Sequence, residues 1–216
     1  MNALSVFAKR RLMRALAAVL GLLLFWLIQA WQTQEASTKK VDALPPTTSS
    51  TAVIPTVRSA EGIVFQTTTT NALQAEVLRA VDGDTLEVKL IATGKEIKVR
   101  LLGMNTPESV DPRRPVQCFG KEASKRMKEL VEGKMVLLVE DLKADDRDKY
   151  GRWLRNVVRM EDRLDVNATL VDQGYANAYL SFPLDAKRKA QLRKLEQEAK
   201  AAERGLWSPS TCEGKK

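Results

Sequence analysis

The 216-residue chain has room for one ordinary domain plus extensions, and its 29% charged and 44% apolar residues suit a folded protein rather than a disordered one. With no histidine and two cysteines, it excludes Ser-His-Asp and Cys-His nucleophiles, a histidine general base, and histidine or four-thiolate zinc sites, leaving carboxylates, Arg, Lys, Tyr or a hard metal ion. The formal charge of +8 is concentrated in the first sixty residues, so net charge alone says little about a nucleic-acid partner.

The first 34 residues contain no acid. A basic segment, 1–14, holds Lys9, Arg10, Arg11 and Arg14 and precedes an apolar run over 15–31. Those 17 residues would span about 25 Å as a helix, marginal against a hydrocarbon core of about 30 Å. An uncleaved membrane anchor is the favoured reading, because cleavage after Ala30 would set bulky Ile28 where a signal peptidase needs a small residue. A cleaved signal and a mitochondrial presequence are the other two. Basic residues only before the run keep the N-terminus inside and place the chain beyond Trp31 outside the cytoplasm. Residues 32–72 read as a flexible Ser/Thr/Pro-rich linker, with Phe65 its only aromatic after Trp31.

From about Gln74 the pattern becomes that of a folded domain. Val77, Arg79 and Val81 alternate along a strand, Asp82-Gly83-Asp84 signals a turn, and Leu86, Val88 and Leu90 form a second period-2 run. Ile97, Val99 and Leu101 form a third, with Lys, Glu and Arg outward. An irregular loop over 109–119 leads into a helix from about Lys121, with Ala123, Met127, Leu130 and Val131 on one face. Strands are expected at 135–141 and 153–159. Asp165 caps a short helix ending before Gly174, and a last helix covers about 184–204. Five short antiparallel strands with helix inserted after the third, then more helix, predict an α+β, mainly β architecture. This is a five-stranded OB-fold barrel with three helices over 73–208, preceded by one hydrophobic N-terminal helix and followed by a tail, 209–216.

Three stretches carry chemistry: Asp82-Gly83-Asp84-Thr85, Arg100 through Glu108, and Asp148-Lys149-Tyr150-Gly151-Arg152. Arg100 alternates with Val99 and Leu101 and so faces away from the aliphatic side. Pro107 stiffens the exit from that strand and holds Glu108 at its mouth. Two arginines, a glutamate and Asp, Asn and Thr oxygens are the kit for phosphodiester hydrolysis without histidine. Glu108 would polarise water, Arg100 and Arg152 would neutralise the phosphorane, and the oxygens suit Ca²⁺.

Residues 73–208 resemble the staphylococcal nuclease (thermonuclease-like) family. The motifs are Asp-Gly-Asp-Thr at 82–85, Arg-Leu-Leu-x-x-x-Thr-Pro-Glu over 100–108, Gly120-Lys-Glu-Ala-Ser124, Asp-Lys-Tyr-Gly-Arg at 148–152, Val166-Asn-x-x-Leu-Val-x-Gln-Gly174 and Gly205-Leu-Trp-Ser208, in the family's order. The resemblance implies an OB-fold, calcium-dependent endonuclease acting on DNA and RNA, monomeric, preferring single-stranded or unstructured substrate. It places the catalytic residues at Arg100, Glu108 and Arg152, and calcium ligands at Asp84, Asn105 and, through its carbonyl, Thr106. Nucleotide contacts fall on Lys149, Tyr150 and Tyr179.

At Asn105 this chain departs from the family, which has an aspartate there. The amide oxygen can still coordinate, but one formal charge is lost, so weaker calcium binding is expected. In the resembled fold the C-terminal segment returns towards the first helix, which would bring Cys118 and Cys212 within bridging distance outside the cytoplasm. Two unrelated thiols are the other reading. The rival function is a non-catalytic OB-fold module binding single-stranded nucleic acid.

Overall fold

The computed structural model describes residues 56–66, 72–113 and 115–212. The basic segment, the apolar run with its expected helix, the linker residues 32–55 and 67–71 and the tail residues 213–216 lie outside the described residues. Among the described residues no helix is long and apolar enough to cross a membrane.

Strands β3 (Ala72–Asp82), β4 (Thr85–Leu90), β5 (Glu96–Leu101), β7 (Met135–Val139) and β8 (Trp153–Arg159) close a barrel in the order β3-β4-β5-β8-β7. With helices α1 (Gly120–Val131), α2 (Val166–Asp172) and α3 (Ala186–Ala201), this is the expected five-stranded barrel with three helices. The period-2 residues Leu86, Val88, Leu90, Ile97, Val99 and Leu101 all point into the core, as the pleat demands. Two features differ from the sequence reading. The strands are not all antiparallel, because β5 and β8 run parallel, Val99 opposite Trp153 and Leu101 opposite Arg155. The first strand is also long and irregular: between Val77 and Arg79 the register with β4 slips, so Leu78 is extra and Ala80, not Val81, is the next core residue.

Part of the expected linker is folded. Strands β1 (Val57–Arg58) and β2 (Ile63–Val64) form a hairpin whose Ile63 is fully buried and whose backbone N–H donates to Thr169 Oγ1 at 3.0 Å. Arg58 pairs with Asp172 and Glu198. Ionic contacts with α2 and α3 hold the stretch alongside the buried Ile63.

The helices follow their sequence signals. Helix α1 turns Ala123, Met127, Leu130 and Val131 inward. Asp165 caps α2 by accepting from Ala168 N at 3.0 Å, and the same carboxylate takes a buried bidentate pair from Arg188 of α3. Gly174, at φ 76°, ends the α2 region in the left-handed conformation glycine favours. Asn167 fits a glycosylation sequon, yet it is fully buried with its amide bonded to Leu102, Arg155 and Val157, so no glycan fits. Cys118 and Cys212 are joined by a disulfide across 94 positions, Cα atoms 6.0 Å apart. Closing so long a loop contributes up to about 4–5 kcal/mol in the chain-entropy account.

Arg159 knots several elements together. Its guanidinium donates to Leu130 O, to both oxygens of Asp162 and to Glu61 in the hairpin turn. Hydrogen bonds from Arg159 hold the Asp162 and Glu61 carboxyls below their ordinary range. A carboxyl with a depressed folded-state value contributes stability that is full above the unfolded value of about 4 and is lost as pH falls through the lower folded-state value. Replacing both, Glu61→Gln with Asp162→Asn, should therefore lower the Tm near neutral pH and converge on the parent at low pH. Thermal melts across roughly pH 3 to 7 check this.

Candidate active site

The parallel β5–β8 pairing sets the two arginines beside each other at one end of the barrel. Arg100 sits opposite Thr85 on one side and Leu154 on the other. It faces away from the aliphatic side, as expected, but it is buried rather than turned to solvent, with 6% exposure. Its Nη1 donates to Leu101 O at 2.6 Å, and its Nη2 reaches Asp84 Oδ2 and Asn105 Oδ1, each at 3.0 Å. Burial, with the positive charge of Arg152 nearby, pulls the Arg100 pKa down, and Asp84 opposes that pull. Arg152 is held by Asp148, Nε and Nη2 each 2.7 Å from Oδ2, and its Nη1 donates to Thr85 Oγ1 at 3.2 Å. Thr85 in turn donates to Asp84 Oδ1 at 2.9 Å. One continuous chain, Arg152–Thr85–Asp84–Arg100, thus orients both guanidiniums.

Glu108 lines the same cleft. Its Oε1 accepts from the backbone N–H groups of Ser109, Val110 and Asp111 at 2.9, 2.8 and 3.0 Å. Desolvation would raise its pKa, but these donors together outweigh it and the net direction is down. Neighbouring Asp82 goes the other way, raised chiefly by burial, with Asp84 and Glu108 adding to the push. Ser109 Oγ and Gly83 N both donate to Asp82 Oδ1 at 2.7 Å.

The oxygen set fits a hard divalent cation. Asp84 Oδ2 and Asn105 Oδ1 converge on Arg100 Nη2, a carboxylate and an amide oxygen side by side, and Thr106 Oγ1 is buried without a hydrogen-bond partner. Gly83 permits this, since a Cβ there would meet the Thr106 side chain at 2.7 Å. Among the described residues no three Asp, Glu, His or Cys side chains could hold an ion by themselves. Amide and backbone oxygens would have to complete the shell.

Aromatic residues flank the cleft. Tyr150 is 72% exposed, with Lys149 Nζ 5.0 Å and Arg152 5.5 Å from its ring centre. Tyr179 follows the short strand β9 (Asn177–Ala178), which pairs with β6 (Met104–Asn105), and its ring meets Phe182 edge-on at 5.1 Å. All nine residues singled out from sequence, namely Asp84, Arg100, Asn105, Thr106, Glu108, Lys149, Tyr150, Arg152 and Tyr179, line this one open cleft. Trp153 does not join them as a stacking platform; Arg147 and Arg155 lie 4.9 and 4.8 Å from its ring.

Residues 98–209 match the model of the family described as staphylococcal nuclease homologues. The chain belongs to that family. It is 43% identical over 132 residues to endonuclease YncB of Bacillus subtilis (strain 168), covering 61% of this chain and 60% of that protein. It is 42% identical over 130 residues to the SPbeta prophage-derived endonuclease YokF of the same strain, covering 60% of this chain and 42% of the relative. The thermonuclease of Staphylococcus hyicus is 33% identical over 133 residues, 62% of this chain and 75% of its own length. The chain thus spans about three fifths or less of the two Bacillus relatives.

The sequence reading did not single out Asp82, Ser109, Gln117 or Asp148 as functional residues. Asp82 and Asp148 were legible as members of the two Asp-led motifs; Ser109 and Gln117 sit in an irregular loop with no pattern. Asp148 accepts with both oxygens, Oδ1 from the Tyr150 and Arg152 backbones and Oδ2 from the Arg152 side chain. An amide has one acceptor oxygen too few for those roles. Asp148→Asn should cost about 1–2 kcal/mol in denaturant unfolding while the barrel stays intact.

Proposed function

We propose that this chain is a metal-dependent endonuclease hydrolysing phosphodiester bonds of DNA and RNA. The observation that carries the reading is the convergence of Arg100, Arg152 and Glu108 on one cleft beside the oxygen set of Asp84, Asn105 and Thr106. The relatives named endonuclease and thermonuclease support it.

In this reading the scissile phosphate lies between the two guanidiniums, each pre-oriented through Thr85 and Asp84 and therefore needing little reorganisation as charge develops. Glu108, with Oε1 fixed by the turn, accepts the proton of the attacking water on its other oxygen. The turn's backbone donors lower its pKa, which favours the ionised form a base needs. Asp84, Asn105 and Thr106 would hold Ca²⁺, which would supply positive charge to offset that of the phosphate. Tyr150 and Tyr179 give flat faces for unpaired bases, and Lys149 pairs with phosphate, which suits single-stranded or unstructured substrate. The chain works outside the cytoplasm, tethered through 15–31 or released by cleavage; the Cys118–Cys212 bond suits an oxidising compartment.

Digestion of denatured DNA and of RNA by the full-length chain, with and without Ca²⁺, tests the reading; binding without cleavage would mark a nucleic-acid-binding module instead. Glu108→Gln should retain substrate binding and lose about 10²–10⁴ in kcat. Arg100→Lys and Arg152→Lys should each be strongly impaired, since a point ammonium lacks the guanidinium's fork. Asn105→Asp should lower the calcium concentration at half-maximal activity, because it restores a charged oxygen. An unchanged half-saturation point would remove Asn105 from the ion's shell.

A further inference from the structure

The peptide unit of Glu108 is gripped by a single residue nine positions on. Gln117 Oε1 accepts from Glu108 N at 2.7 Å, and Gln117 N donates to Glu108 O at 2.8 Å. Both main-chain polar groups of Glu108 therefore close on Gln117, while the carboxylate is held separately by the 109–111 turn. The residues after Gln117 fix where it stands. Cys118 is bonded to Cys212, and Phe119 adopts φ 67° and packs its ring 5.3 Å from that of Tyr175. At Gly120 an added Cβ would come within 2.6 Å of Glu108 O, so the start of α1 sits directly on the Glu108 carbonyl.

We propose that Gln117 is the positioning residue for Glu108, with the Cys118–Cys212 bridge bracing it from the C-terminal segment. The proposal rests on the nuclease reading above. Gln117 touches neither water nor phosphate in this role; it sets the height and tilt of the Glu108 backbone, and through it the distance from the carboxylate to the attacking water. A displacement of a reacting group by about 1 Å costs on the order of 10²-fold in rate. A residue that merely stabilised the loop would change thermal stability and substrate affinity without selecting kcat.

The test uses the full-length chain and three proteins: the parent, Gln117→Met, which keeps side-chain length but removes the acceptor, and Gln117→Glu, whose carboxylate oxygen can accept from the same N–H. Gln117→Met should lose roughly 10- to 100-fold in kcat with KM within about twofold. Its Glu108 amide proton should exchange faster with solvent, read by NMR. Gln117→Glu should recover most of both. Reducing the disulfide in the parent should lower kcat in the same direction, and should add little in Gln117→Met, because both changes release one grip. Parent-like kcat in Gln117→Met, or a loss that appears in KM instead, would overturn the proposal; so would a kcat loss that Gln117→Glu fails to rescue. If the parent itself cleaves nothing, the nuclease reading fails, and amide exchange alone judges the grip: unchanged exchange in Gln117→Met refutes it.

Discussion

The parallel pairing of β5 with β8 is the constraint on which the rest of the molecule hangs. Antiparallel neighbours can be joined by a tight turn, whereas a parallel pair needs a long crossover. Here the crossover runs over residues 102–152 and includes β6, the loop after Glu108, all of α1, strand β7 and the 140–152 loop. It closes the barrel and seals a core built from the inward residues of five strands. It also sets the ends of both strands together, so that arginines 52 positions apart in sequence share one cleft.

The buried charges at the centre of that cleft are paired. A buried guanidinium is costly unless its hydrogen bonds are met, and Arg100 meets them with a carboxylate, an amide and a carbonyl. The carboxylates are treated unequally. Burial raises the pKa of Asp82, while backbone donors around Glu108 lower its own. The separation arises from the Asp82-Gly83-Asp84 turn and the 108–111 turn facing each other, with Ser109 bridging them.

Much of this architecture was legible in sequence because it is local. The alternation of Leu86, Val88 and Leu90, the cap at Asp165 and the stop at Gly174 depend on residues a few positions away. Other features escaped for physical reasons. Periodicity reports which face is buried but not which way a neighbour runs, so the parallel pair was invisible. The slip at Leu78 was hidden because Val81 kept the alternation going on paper while Ala80 took the core position. The hairpin at 57–64 has one buried aliphatic, Ile63, and is secured by Arg58 and Glu61 reaching partners about 100 or more positions away. In the cleft, the residue types at 100, 108 and 152 declared themselves by chemistry and by motif. Gln117 could not, since a single glutamine in an irregular loop carries no pattern, and its importance lies wholly in where the fold puts it.

The disulfide divides the cleft in a way that neither the barrel nor the helices do. The ring it closes runs from residue 118 to residue 212, so Arg152, Tyr150 and Tyr179 lie inside the covalent circuit, while Asp84, Arg100 and Glu108 lie on the chain that enters it. A protease that nicks an exposed loop within the ring, such as the one bearing Leu142 at 84% exposure, opens the circuit without detaching anything. The two arginines would remain on one molecule, joined through sulfur instead of through the backbone. That arrangement makes a clipped molecule a different object from a destroyed one.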